Sequence, residues 1–138
     1  MVLGSLLGLN RTVGGLETTC GDTVNVPQGG KCKVIFTVYN TGYLDATIDY
    51  SVDILDKNGI IVGSASDYSG ITIAKGDYKM IATSDITIKP EAPLGLGSAR
   101  VVIFNHETGE ELARASCNIV NIVSGVAVTI GNISVAVV

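Results

Sequence analysis

The sequence predicts an all-β protein, an antiparallel immunoglobulin-like β-sandwich of seven or eight strands. Val, Ile and Thr dominate its apolar and small polar positions, and β-branched residues favour strands. Segments of alternating hydrophobicity follow one another at short, regular spacing, separated by turn residues, as in sandwiches. Glycine is abundant at 17 residues, which favours tight turns. A chain of 138 residues is long enough for one domain with a substantial core.

The first half of the chain predicts three strands. Residues 23–26 form a short strand that ends in the turn of residues 27–30, and residues 32–39 form the next strand. Residues 46–54 alternate apolar with polar side chains, which indicates a half-buried strand. We therefore expect a buried set and a more exposed set. The buried side chains are Phe36, Val38, Ile48, Val52 and Ile54, and the more exposed ones are Thr47, Asp49 and Asp53.

The second half predicts the remaining strands. Residues 56–59, with the dipeptide Asn58-Gly59, form a hairpin turn, because Asn-Gly accepts the positive φ angles of such turns. Strands follow at residues 60–66, 71–73, 80–88, 98–105 and 110–122. Pro90 ends the alternating run of residues 80–88, and residues 90–97 form a loop. The sandwich is thus predicted to span residues 23–122.

Two short segments resemble a known family. Residues 36–42, with the motif Asn40-Thr41-Gly42, and residues 45–47 are similar to the opening of CARDB-like domains, and residues 71–76 resemble a later turn of such domains. The resemblance covers roughly residues 23–122. CARDB-like domains are immunoglobulin-like modules of prokaryotic surface proteins. The resemblance implies a surface or adhesive module, and it transfers no catalytic residue.

Composition argues against several function classes. The chain has 13 acidic and 9 basic residues, with no dense basic cluster, so we expect no nucleic-acid partner. His106, the only histidine, lies in a polar turn, where we expect it to be solvated and without partners for a metal site or a triad. Glu107, Glu110 and Glu111 flank a Thr-Gly turn and predict no acid–base pair. We therefore predict no enzyme activity, no cofactor and no small-molecule substrate.

Asp45, Asp49 and Asp53 recur on one face of a predicted strand. Calcium needs several oxygen atoms converging at about 2.3–2.6 Å, and one straight strand holds these carboxylates about 13 Å apart. A solvated acidic face is the preferred interpretation. Calcium bridging with a neighbouring loop is the alternative, and otherwise no metal site is expected.

Three cysteines leave one thiol unpaired in any pairing. Either all three are small buried side chains, or one disulfide forms. If one forms, we predict Cys32–Cys117. Each of these cysteines shares a strand face with the apolar side chains, and both lie toward the same end of an antiparallel sandwich. Asn10 begins an Asn-Arg-Thr sequence and is a candidate glycosylation site; Asn132 begins a second such motif within a predicted turn.

The two ends of the chain are apolar. Residues 1–22 form an N-terminal arm with Leu3, Leu6, Leu7 and Leu9, and this arm has no basic segment, which makes it a poor signal peptide. Residues 115–138 contain no charged side chain. Within residues 123–138, we expect a β-hairpin that turns at Gly131-Asn132, since a transmembrane helix is disfavoured by that dipeptide and by dense β-branching.

The predicted hairpin has one large apolar face. It consists of Val126, Val128, Ile130, Ile133, Val135 and Val137. Burying each of these side chains contributes roughly 1.5–3 kcal/mol, and an isolated hairpin is marginal in water, so the face is expected to cover something. Two surfaces remain as alternatives for what the face covers: the sandwich of the same chain and a neighbouring subunit. The low charge and the apolar N-terminal arm favour the neighbouring subunit.

The sequence therefore favours a structural role. We expect a non-enzymatic subunit of an extracellular, cell-surface or virion assembly, such as a capsid, a decoration layer or a surface filament. Its partners would be copies of itself and other coat or surface proteins, with the terminal segments making the contacts. The alternative is a monomeric immunoglobulin-like adhesion or glycan-binding module.

Overall fold

A computed structural model describes residues 18–138, and these residues contain nine β-strands. In chain order they are β1 (Val24–Pro27), β2 (Lys31–Cys32), β3 (Ile35–Tyr39), β4 (Ala46–Leu55), β5 (Ile61–Ile73), β6 (Tyr78–Ala82), β7 (Ile86–Thr87), β8 (Gly95–Asn105) and β9 (Glu111–Val123). No helix within residues 18–138 is long and apolar enough to cross a membrane. The predicted all-β fold class is confirmed.

The strands form one broad sheet and two small ladders. The broad sheet has five strands in the order β1-β9-β8-β4-β5, with β1 parallel to β9 and every other pair antiparallel. The ladders β2–β7 and β3–β6 are both antiparallel. They lie end to end, because β3 follows β2 on one side and β7 follows β6 on the other. Their inner side chains pack on the broad sheet, which gives a sandwich with five strands facing a two-stranded ribbon.

The strand boundaries differ from the predictions in four places. Residues 32–39 and 80–88 are each divided, because the buried hydroxyl of Thr83 accepts a hydrogen bond from the Val34 N–H where the ladder would otherwise continue. The predicted strands 60–66 and 71–73 are one strand, β5, which passes through Gly70 at a φ of +90°. A register shift between β4 and β5 absorbs this irregularity. Strand β8 begins at Gly95, inside the predicted loop.

The predicted hairpin turn between β4 and β5 is confirmed. Gly59 has a φ of +79°, and its N–H donates to the Asp56 carbonyl at 3.0 Å. The Asp56 carboxylate accepts hydrogen bonds from the N–H groups of Asn58 and Ile60. This buried carboxylate satisfies the backbone of the turn.

The core confirms most of the predicted alternation. Ile48, Val52 and Ile54 are fully buried, as expected, whereas Phe36 and Val38 are only half-buried. The Phe36 ring packs edge-on against Tyr50, with ring centroids 5.2 Å apart. Because the ribbon has only two strands among the described residues, it covers the five-stranded sheet incompletely, and the inner side chains of β3 lie at that uncovered side.

The predicted C-terminal hairpin is wrong for the single chain. The structure has no strand after Val123, and residues 126–138 are exposed throughout. Two strands alone are marginal in water, and nothing in the sandwich covers their apolar face, so the pairing about Gly131-Asn132 does not form. The tail, by which we mean residues 124–138, is therefore an uncharged apolar segment that leaves the sandwich.

Candidate assembly site

His106 is not the solvated loop histidine that its sequence context predicts. The turn after β8 places its Nδ1 atom 2.8 Å from Oδ1 of Asp49 on β4. Asp49 is only 6 % exposed, so the expectation that it lies on an exposed face is also wrong. The His106 N–H also donates to the Thr47 carbonyl at 2.9 Å. The His106–Asp49 pair thus joins the β8–β9 turn to β4.

The predicted solvated acidic face is instead a row of carboxylates with separate protein partners. Asp53 is half-buried and accepts a hydrogen bond from Nη2 of Arg100 at 2.8 Å. Asp45 accepts one from the Lys75 N–H at 3.0 Å. Asp45 stays exposed, as expected, whereas side chains from β8 and the turn after it cover Asp53 and Asp49. Since sequence periodicity gives the face and not its neighbours, this cover was missed.

The acidic residues of the β8–β9 turn are exposed and form no carboxylate pair. Glu111 binds Arg114 through two hydrogen bonds of 3.0 and 2.8 Å. These bonds lower the pKa of Glu111 and raise the pKa of Arg114. Within residues 18–138, no three side chains of the metal-binding types come together as a metal site.

The predicted Cys32–Cys117 disulfide is wrong. Cys117 is bonded to Cys20, with the two Cα atoms 5.7 Å apart, and Cys32 is a half-buried free thiol whose pKa is raised by burial. Strand β1 runs parallel to β9, with Val24 opposite Val120, and this register brings Cys20 alongside Cys117. A structural disulfide is typical of proteins that fold outside the reducing cytosol.

A groove of about 1010 Å³ lies beside the edge of β3 that faces away from β6. One wall is β3 with the residue that precedes it, and its half-buried side chains are Val34, Phe36 and Val38. The floor is the inner face of β8 and β9. That floor carries small or incompletely covered side chains such as Val101 and Ala115. Residues 18–21, which the Cys20–Cys117 disulfide fastens to β9, border the other side.

The tail carries the second unusual surface. All six aliphatic side chains predicted to make contacts are exposed, from 77 % at Val126 to 98 % at Val137; the others are Val128, Ile130, Ile133 and Val135. Soluble monomers rarely expose a contiguous apolar surface of this kind, and such surfaces mark interaction sites. The predicted contacts of Leu3, Leu6, Leu7 and Leu9 and the candidate glycosylation site Asn10 lie outside the described residues.

Sequence periodicity identified the tail and missed the groove. A groove between two sheets depends on how many strands each sheet contains, which local alternation does not give. One signal was present: the inward positions of β9 include Ala113 and Ala115, which are small for the floor of a sandwich. Small residues there leave room for larger side chains from a facing strand.

No family model matches the sequence, and no curated protein sequence does. Two solved structures are similar in part. One is a β-glucuronidase from glycoside hydrolase family 2, with 14 % identity, a TM-score of 0.48, and coverage of 64 % of this chain and 10 % of that chain. The other is the alkylpurine DNA glycosylase AlkC of Pseudomonas fluorescens bound to DNA containing an abasic site analog, with 16 % identity, a TM-score of 0.44, and coverage of 72 % and 27 %. Both TM-scores lie below 0.5, and nothing about this chain is inferred from either protein.

Proposed function

We propose that this protein is a non-enzymatic structural subunit of an extracellular or virion assembly, and that it associates with copies of itself through its apolar terminal segments. The exposed tail is the observation that carries this proposal. Its six large aliphatic side chains are exposed, with no cover from residues 18–138, and no charged residue keeps the segment in water. Burying them against another subunit releases water from a large apolar surface, which drives association.

Two further observations support this role. The Cys20–Cys117 disulfide suits an oxidising, extracellular setting. The resemblance of residues 36–47 and 71–76 to CARDB-like domains of prokaryotic surface proteins suits the same setting. The partly buried polar pairs, His106–Asp49 and Arg100–Asp53, join neighbouring strands, and this linking role accounts for them without a reaction.

Deleting residues 125–138 is expected to abolish higher-order association and to leave the sandwich folded. The strands and the core end at Val123, so the deletion removes no buried side chain of the single chain. Sedimentation velocity over a range of micromolar concentrations measures association, and thermal unfolding measures the stability of the sandwich. The full-length protein should exceed the mass of one 14.3 kDa chain, and the truncated protein should not.

A double substitution in the tail tests the same proposal more sharply than the deletion, and a second double substitution serves as its control. Val128→Asp with Val135→Asp should raise the apparent dissociation constant at least about 100-fold, because burying an unpaired charge is costly. Ala127→Asp with Ala136→Asp adds the same charge to the small-residue positions and should change association much less. Both variants should melt within a few degrees of the wild type. A wild-type protein that remains monomeric at every concentration would contradict the proposal and favour the monomeric adhesion or glycan-binding module.

A further inference from the structure

We propose that the groove beside β3 binds the tail of a second copy as an added antiparallel strand, with Ile133, Val135 and Val137 directed onto the groove floor. Since it requires self-association, this binding mode rests on the function proposed above, and the experiment separates the two. The groove supplies what an added strand needs: a strand edge without a partner among residues 18–138, next to an incompletely covered apolar sheet face.

The shapes and the alternation of the two surfaces match. Strand β3 is five residues long, and residues 133–137 alternate three large aliphatic side chains with the small residues Ser134 and Ala136. In an added strand, the aliphatic side chains face the small Ala113 and Ala115 of the floor, and the small ones face outward. Among residues 18–138, Arg114 is the one charged residue that lines the groove, and the tail has no charged residue, so an added strand brings no charge into the groove.

The exposed edge of β5 suits the tail less well. Strand β5 borders the five-stranded sheet, but register shifts interrupt its pairing with β4, and Gly70 adopts a φ of +90° within it. Bulges and bends of this kind keep an edge from accepting a further strand. The inner side chains near that edge, Val62 and Ile73, are already buried. The groove beside β3 thus offers both free backbone groups and uncovered apolar surface.

Chain direction favours a second copy over the protein's own tail. Strand β2 begins just after the turn where Gln28 N–H donates to Val123 O, so β2 and then β3 run away from the end of the sandwich where β9 ends. At its other end, Asn40 Nδ2 donates to Ile73 O. A tail that leaves its own β9 would enter the groove parallel to β3, whereas a tail from a second copy can enter from the far end and run antiparallel, the slightly more stable pairing.

The length of the tail points the same way. To run antiparallel to β3 in its own groove, the tail would first have to pass back from the end of β9 to the level of its start. At about 3.3 Å per residue, the strand of residues 111–123 is about 40 Å long. The nine residues 124–132 span at most about 30 Å. The same nine residues suffice to reach a neighbouring subunit. Residues 126–130 alternate similarly, but they follow β9 too closely to have this reach.

Such binding joins different surfaces of two copies, since each gives a tail and receives one in its groove. Head-to-tail contacts of this kind make rings when they close and filaments when they do not. The inferred product is therefore a ring or an open filament of subunits, with each tail completing the next sandwich.

A disulfide cross-linking experiment tests this arrangement in the full-length chain. In a Cys32→Ser background, Thr37→Cys on the outer face of β3 is combined with Ala136→Cys in the same chain. Facing residues of adjacent antiparallel strands have Cα atoms about 4.5–5.5 Å apart, which permits a disulfide. Oxidation with copper phenanthroline should give a ladder of multiples of one chain on a non-reducing denaturing gel. Mass spectrometry should find the peptide of residue 37 joined to that of residue 136.

Matched variants separate the other outcomes. Ser66→Cys with Ala136→Cys places the first cysteine on the outward face of β5 and should give little ladder; equal cross-linking there would overturn the assignment of the groove. A linked single chain from the first variant would show that the tail fills its own groove. Leu6→Cys cross-linking to Thr37→Cys in place of the tail would assign the groove to the N-terminal segment. Either result overturns the inference while association in solution can persist, whereas a monomeric wild type contradicts the proposed function itself.

A second test blocks the groove without altering the tail. Ala115→Phe places a large ring on the groove floor and should weaken association at least about 10-fold, because it occupies the space inferred for the tail. Asn118→Phe, at an exposed position of the same strand that does not line the groove, is the matched control and should leave association within about 2-fold. Circular dichroism and thermal unfolding confirm that both variants fold. Equal association of the two folded variants would overturn the groove assignment.

Discussion

Replacing Cys20 and Cys117 with serine is expected to lower the free energy of unfolding by about 3–5 kcal/mol. The two cysteines are separated by 97 positions, so their bond closes most of the chain into one loop and removes much conformational freedom from the unfolded state. A loss of this size in a domain of this length corresponds to a fall in Tm of about 10 °C or more. Urea unfolding of the two proteins at equilibrium measures the difference.

Cys32→Ser is the matched control for this experiment. Cys32 is a half-buried free thiol, so its replacement removes no cross-link and should cost much less than the double substitution. The wild type treated with a reductant should resemble the double variant. Equal stability of the double variant and the wild type would contradict the stabilising role of the disulfide. Because residues 18–21 border the groove, the double variant should also associate less well than the wild type.

The disulfide shows why the pairing of cysteines lay beyond sequence analysis. The alternation of side chains along the strand correctly placed Cys117 on the inward face of β9. Many residues share that face, however, and alternation fixes no distance between two cysteines. The partner was decided by the parallel pairing of β1 with β9, a contact between the two ends of the chain. No local pattern encodes such a contact. Cys20 also precedes the first strand, in a segment without alternation, so nothing in its surroundings marked it.

The strands themselves were largely predictable because alternation is a local property. Strand β4 matches the predicted residues 46–54 to within one residue, and β9 matches residues 110–122 equally well. The errors fall where a tertiary contact overrides the local pattern. Thr83 interrupts a ladder by bonding to Val34, and Asp49 is buried because His106 comes from a distant turn to meet it.

Sequence analysis likewise found one part of the candidate site, the tail, and missed the other part, the groove. The tail was found from sequence because it is defined by an uninterrupted run of uncharged, aliphatic residues. The conformation of the tail was not predicted correctly, since the predicted hairpin lacks a surface to pack on among residues 18–138. The groove depends on a difference in strand number between the two layers, which appears only when the strands are assembled. Alternation predicts faces, whereas an uncovered edge is a property of the whole fold.

Gly97→Ala is expected to destabilise the sandwich by about 3 kcal/mol or more. A Cβ atom at this position would clash with the Leu55 carbonyl oxygen, so the backbone of β4 or β8 would have to move. Neither strand is free to do so, because Leu55 pairs with Ser98 and Gly97 with Val120 in the centre of the five-stranded sheet. Thermal and urea unfolding of the variant measure the loss.

Gly21→Ala is the matched control, since a Cβ atom there meets no atom within 4 Å. Its effect should stay within about 0.5 kcal/mol. The backbone of Gly97 has no unusual φ angle, so the comparison isolates the steric contact between β8 and β4. The floor of the groove belongs to β8 and β9, and a shift of β8 should therefore also weaken association. If Gly97→Ala unfolds at the same urea concentration as Gly21→Ala, the close approach of the two strands is not a constraint on this fold, and the shape of the groove floor does not depend on it.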